Sequence, residues 1–160
     1  MSIPVATPHP QRGMALLISL VFLLLLTLIG LSSMQSATLQ EKMATSVSLR
    51  NQSFQIAEAT LRAGESEVQL TTYTLPKCSG IAQCAPPAES TSITGAGFNS
   101  DSGVTWIAAA SGFYGVQNLG VVRIAVNVPS EPRPTLYRVT AVAVVGDNIR
   151  SVVESIYAKY

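Results

Sequence analysis

An α+β fold, with a long N-terminal helix and an antiparallel β-sheet packed on the C-terminal half of that helix, is predicted by three features of the sequence. Residues 13–40 contain no Asp, Glu, Lys or Arg. Beyond them apolar residues recur at helical spacing, and the C-terminal third carries β-branched runs separated by turn residues. The first two features give one helix that changes character along its length; the third gives the sheet.

Residues 1–13 hold Pro4, Pro8 and Pro10 and a single full positive charge, Arg12, so they form no stable element and read as a leader. Residues 14–34 are long and apolar enough to cross a bilayer as a helix. Of the 48% hydrophobic residues in the chain, much of the excess sits here. A secretory signal would have a shorter apolar core followed by an Ala-x-Ala-like site. Here the run is too long, only Ser32-Ser33 follows, and the helical pattern continues through Gln40-Glu41-Lys42-Met43. The apolar helix therefore stays with the mature chain, and Arg12 orients it with its N-terminus inside.

Residues 35–70 form the amphipathic continuation. Leu39, Met43, Val47, Phe54, Ala57, Leu61 and Val68 fall on one stripe, and Glu58 and Arg62 are four apart, the spacing of a supporting ion pair. Gly30 interrupts the pattern at a cost of up to about 1 kcal/mol relative to Ala. The helix is expected to end near Leu70, where Thr71-Thr72-Tyr73-Thr74-Leu75-Pro76 turns β-branched and reaches a breaker.

Residues 71–103, rich in Ser, Thr, Ala, Gly and Pro, read as a long surface loop, either a recognition surface or a variable connector. Cys78 and Cys84, the only cysteines, lie beyond the apolar run and read as a disulfide, with two reduced thiols as the alternative. Closing so short a loop contributes roughly 2.4 kcal/mol in the chain-entropy account. Residues 104–160 supply the sheet. Val104-Thr105-Trp106-Ile107 is a short strand with Trp106 in the core; residues 121–128 form a strand ended by Pro129; residues 130–134 connect; residues 136–145 and 149–157 form a hairpin. The turn Gly146-Asp147-Asn148 is expected to supply positive φ at its Gly and Asn.

A leader ending in Arg12-Gly13, followed by an uncharged helix that runs into an amphipathic one, resembles a type IV prepilin. The segment Arg50-Asn51-Gln52-Ser53-Phe54-Gln55-Ile56-Ala57-Glu58-Ala59-Thr60-Leu61-Arg62-Ala63-Gly64-Glu65 is similar to the stem of PilX-type minor pilins, with their Phe-x-x-Ala-Glu-Ala-x-Leu-Arg-x-Gly-Glu pattern. Tyr137-Arg138-Val139-Thr140-Ala141 adds a looser C-terminal likeness. The resemblance implies a type IV pilin-like lollipop. It also implies a prepilin peptidase that cuts after Gly13 and methylates the new N-terminus on Met14. Ile18, Phe54, Ala57, Glu58, Leu61 and Arg62 would form the assembly helix.

Most pilins place a Glu at the fifth residue of the mature chain, which here is Ile18. That carboxylate is thought to pair with the N-terminal amine of a neighbouring subunit, because an unpaired charge in hydrocarbon is costly. A subunit with nothing above it would not need one, so Ile18 points to a tip-proximal minor subunit. The K-type pseudopilins of type II secretion share this absence.

The resemblance implies a minor pilin that primes type IV pilus assembly and supports adhesion and twitching motility, with presentation of a PilY-type adhesin as a further role. Its partners would be other minor pilins, the major pilin, the prepilin peptidase and the inner membrane, with the head in the periplasm before assembly and outside the cell in the pilus afterwards. The alternatives are a minor pseudopilin of a type II secretion system and, from a different class, a singly anchored binding or enzyme module. A net charge of +1 gives no hint of a nucleic-acid partner. The only His is His9, so the chain beyond the leader has no imidazole for acid/base or triad chemistry. With no His there and only two Cys, no metal motif is present, and no cofactor, phosphate-cradling loop or nucleophile elbow is signalled.

Overall fold

The computed structural model describes residues 12–122 and 133–160. The expected leader falls outside them up to residue 11, as do the expected strand and connector between residues 123 and 132. The chain divides into two units, Met1–Thr45 and Ser46–Tyr160. One α-helix, α1 (Arg12–Gln69), contributes to both.

In the first unit α1 is uncharged from Gly13 through Gln40, and every side chain described from Met14 to Thr45 is exposed. An 18-residue window within α1 reaches a mean hydropathy of 2.9 with none of it buried.

In the second unit, residues 46–69 of α1 pack on a five-stranded antiparallel sheet, ordered β1 (Gly97–Phe98), β2 (Thr105–Ala109), β3 (Gly112–Val121), β4 (Thr135–Val145) and β5 (Ile149–Lys159). The chain is an α+β protein with a long N-terminal helix and a sheet on its C-terminal part. Each strand neighbours the next in sequence, the arrangement short hairpin connections favour. β4 and β5 pair in register from Thr135↔Lys159 to Val145↔Ile149.

Two cores lie on opposite faces of the sheet. On the helix side Leu61 and Val68 meet Tyr114, Val116, Tyr137, Val139 and Ala141. On the other side Val104, Trp106 and Val142 pack with Ile93 and Phe113. The strand period of two sends Val139 and Ala141 to one core and Val142 to the other, as alternation requires.

Several expectations need correcting. The expected stripe holds only in part: Ala57, Leu61 and Val68 are buried, joined by Ser53, Thr60 and Gly64, whereas Phe54, Val47, Met43 and Leu39 are exposed. Small residues win because they bring the helix axis close to the strands. Residues 71–103 are not simply a loop. They hold α2 (Gly80–Cys84), a 3₁₀ turn at Ala88–Thr91 and β1, and they cover the second face of the sheet. β3 begins at Gly112, well before the expected strand at residue 121, and runs through three glycines.

Turn chemistry also differs in detail. Gly146 has φ +61, but Asn148 does not reach positive φ. The β2–β3 turn instead places Ala110 (φ 49) and Ser111 (φ 67) in the left-handed region, a conformation that costs residues with a Cβ of order 1 kcal/mol each.

Candidate functional site

The apolar stem is the first candidate surface. In hydrocarbon every polar group must find a partner inside its own segment. Two hydroxyls of the apolar run do this: Ser19 Oγ donates to the Leu16 carbonyl at 2.8 Å and Thr27 Oγ1 to the Leu24 carbonyl at 2.8 Å. Gly13 lies in the first turn of α1. Met14 is exposed, and Ile18 is 60% exposed.

The expected assembly residues in the second unit separate into two sets. Ala57 and Leu61 are buried against this chain's own sheet and hold the fold. Phe54, 53% exposed, and Arg62 face outward, with Glu58 half-buried beside them. Glu58 Oε1 accepts from Arg62 Nη2 at 2.6 Å, an exposed i,i+4 pair contributing only a few tenths of a kcal/mol.

A second candidate surface is built on the disulfide between Cys78 and Cys84. It closes a short segment around α2, which presents Ile81, 92% exposed, to the outside. Two side chains from the sheet hold that segment from beneath. Gln117 Nε2 donates to the carbonyls of Gln83 at 2.6 Å and Ala85 at 3.0 Å. Arg138 Nη1 donates to the Cys84 carbonyl at 2.7 Å and to Gln117 Oε1 at 3.2 Å, while its Nε reaches Glu154 Oε1 at 3.1 Å. The last carbonyls of a helix lack intrahelical partners and attract cations, so this guanidinium satisfies and stabilises the end of α2. Pairing on the other side comes from Cys78 N to the Asn118 carbonyl at 2.9 Å and from Asn118 Nδ2 to the Leu75 carbonyl at 2.7 Å.

Glu89 on the 3₁₀ turn forms a second node. Its Oε1 accepts a short hydrogen bond from Ser102 Oγ and one from Trp106 Nε1 at 3.2 Å. The indole expected in the core is there, only 3% exposed, with its N–H satisfied.

Residues 12–62 match the family model described as PilX N-terminal. The stem is PilX-like. That match spans about a third of the chain and supports a PilX-type type IV pilin, a minor pilin in the general sense. Comparison with curated proteins and with solved structures gives no match. A stem of this kind supports a structural pilin, the kind of subunit that assembles with other pilins, and the apolar helix fits anchoring in a membrane before entry into a pilus.

The matched span ends at Arg62, two residues before Gly64, where the PilX-like stem lies close against Val139 and Tyr114 of the sheet. Among the described residues no group of three or more His, Cys, Asp or Glu is placed to hold a metal ion. The titration behaviour that departs most from the ordinary is likewise structural. Burial, reinforced by Tyr114, Tyr137 and Glu67, pushes the Tyr73 phenol up to about 12, and burial then Glu67 raise Tyr114. Tyr73 packs edge-on against Tyr137, ring centroids 5.9 Å apart. Lys159 Nζ reaches the Leu70 carbonyl at 2.6 Å and the Tyr73 carbonyl at 2.9 Å, capping the C-terminus of α1. Sequence reasoning missed Lys159, Gln117 and Glu89 because their partners are backbone carbonyls and side chains distant in the chain. Gly64 stood in the quoted stem pattern, but only the packing shows its role.

Proposed function

We propose that this chain is a minor pilin that primes assembly of a type IV pilus and sits at or near the pilus tip, supporting adhesion and twitching motility. Residues 1–13 are then a leader removed after Gly13 by the prepilin peptidase, which methylates Met14. Residues 14–34 anchor the chain in the inner membrane, residues 35–70 continue the stem, residues 71–103 form the disulfide-stapled cover, and residues 104–160 complete the head, held in the periplasm until assembly. Other minor pilins and the major pilin are its neighbours, and the surface around α2 is where a PilY-type adhesin would seat.

The observation that carries the tip position is Ile18, an apolar side chain in an uncharged stem of PilX type where other pilins hold a carboxylate. With no buried charge to neutralise, the subunit makes no demand on a neighbour above it.

Intact mass of the mature protein tests the processing step. The expected chain starts at Met14 with one added methyl group, and Gly13→Ala leaves the leader attached. Immunogold labelling of sheared pili tests position: label at fibre ends is expected, whereas label along the whole shaft, or a secretion defect without loss of twitching in a deletion strain, would overturn the tip-pilin reading.

A further inference from the structure

In the second unit a groove runs between α1 and the β4–β5 turn, lined by Arg50, Asn51 and Phe54 on the helix and by Ile149 and Arg150 at the start of β5. It is preformed, because Ser53 Oγ and Ser151 Oγ meet at 2.6 Å and pin the strand to the helix beside it. Its lining carries two guanidinium groups and no carboxylate; Asp147, in the same turn, does not line it. The helix offers Arg50 no acid either, since the positions three and four residues away are Ser46, Val47, Ser53 and Phe54. Among the described residues the Arg150 side chain makes one hydrogen bond, from Nη1 to the neutral Ser90 carbonyl at 3.3 Å. The same lining holds the exposed Phe54 ring and the half-buried Ile149.

We infer that this groove docks an acidic segment of a partner protein, one carboxylate on the Arg50 and Arg150 guanidiniums and an apolar neighbour against Phe54. Charge complementarity argues for the carboxylate, which a guanidinium fork binds with two parallel hydrogen bonds. An aromatic ring sharing a groove with two arginines is the composition of protein interface anchors, and a preformed groove lowers the ordering cost of binding. A phosphate headgroup would be served by the cations alone and would leave the ring without a partner. The inference goes beyond the assembly role proposed above, because it names the chemistry of the opposing surface and needs neither leader cleavage nor a tip position.

The test places a photoreactive benzoylphenylalanine at Asn51 in the full-length chain, irradiates producing cells and maps the adducts by mass spectrometry. The expected adduct is a protein peptide carrying Asp or Glu beside an apolar residue. Its yield should fall roughly tenfold in Arg50→Glu, the scale set by losing one close charge pair, and recover when the mapped carboxylate is changed to Lys. Among the described residues the Arg50 side chain makes no hydrogen bond, so Arg50→Glu should leave the fold intact, and an unchanged melting profile checks that. Adducts to phospholipid alone, adducts to a second copy of this chain alone, no adduct, or a yield indifferent to charge reversal would each overturn the inference.

Discussion

Gly64 lies directly beneath Val139: a Cβ added to the glycine would come within 2.7 Å of Val139 Cγ1 and 2.9 Å of Tyr114 Cδ2. No real Cβ tolerates such distances, so the helix and β4 meet at this point only because one side chain is missing. Close approach lets Leu61 and Val68, on either side of Gly64, reach the buried faces of β3 and β4.

Gly64→Ala therefore sets two effects against each other. Helix propensity favours Ala by about 1 kcal/mol; forcing a methyl into a packed interface costs roughly 1–3 kcal/mol. Packing should win, because both neighbours are themselves buried. Thermal unfolding of the detergent-solubilised chain, followed by near-ultraviolet circular dichroism, is expected to show a lower midpoint for Gly64→Ala. Gly30→Ala, where nothing lies within 4 Å, should leave the midpoint unchanged or raise it.

The disulfide and Arg138 hold the same segment and should not act additively. Removing Cys78 and Cys84 together as Ser costs about 2.4 kcal/mol in the chain-entropy account. Arg138→Met leaves the Cys84 carbonyl and Gln117 Oε1 short of a donor and Glu154 without its cation, at a cost of about 2–3 kcal/mol for a half-buried charged group. Denaturant titrations of the single and combined variants should show the combined loss smaller than the sum of the two, because a segment already released has less to lose from Arg138. Strict additivity would mean that the staple and the guanidinium stabilise separate regions.

The long helix and the β4–β5 hairpin were legible in the sequence because each is signalled by a run of one residue type: uncharged apolar residues from Gly13, and β-branched residues on both sides of Gly146. β3 was not. Gly112, Gly115 and Gly120 are poor strand formers, and their use appears only when Thr60, Val104 and Lys77 are seen pressing on them from the helix and the covering segment. The same holds for the helix face. Phe54 looks like a core residue by spacing, yet Ser53 takes the buried place through its bond to Ser151. Residue size predicted burial poorly wherever backbone approach mattered more than apolar area. At the candidate surfaces, sequence gave the stem residues and the cysteine pair, while the groove beside Phe54 depends on a strand that returns to the helix from about a hundred residues away in the chain.

Alkaline pH should weaken the head through Tyr73. Below pH about 10 the phenol is protonated in folded and unfolded chains alike. Between about 10 and 12 only the unfolded chain ionises, since burial keeps the folded-state phenol protonated until about 12. The unfolded state then binds fewer protons, and stability falls as pH rises through that window. Tyr73→Phe keeps the edge-on contact with Tyr137 but cannot ionise. Its unfolding midpoint, measured from pH 8 to 12, should decline less steeply than that of the parent chain, and parallel declines would show that another group governs the loss.

Ile18→Glu probes the stem directly. A carboxylate on this face meets no cationic side chain along the stem, since residues 13–40 carry none, and the chain's own amine at Met14 is the one charge within reach. At the middle of a bilayer an acidic side chain costs about 2.5–3.5 kcal/mol on insertion scales, and less near a helix end, where it can reach water. Insertion and processing should therefore survive, and an immunoblot of membranes should show near-normal levels. Entry into the fibre is a different matter. A subunit at the tip has no neighbour above to supply a second amine, so the new charge has no intersubunit partner among the packed stems, and the variant should be depleted from sheared pili relative to the membrane pool. Parent-like or higher recovery in the fibre would mean that a partner amine is present above this subunit, and the tip position would have to be abandoned.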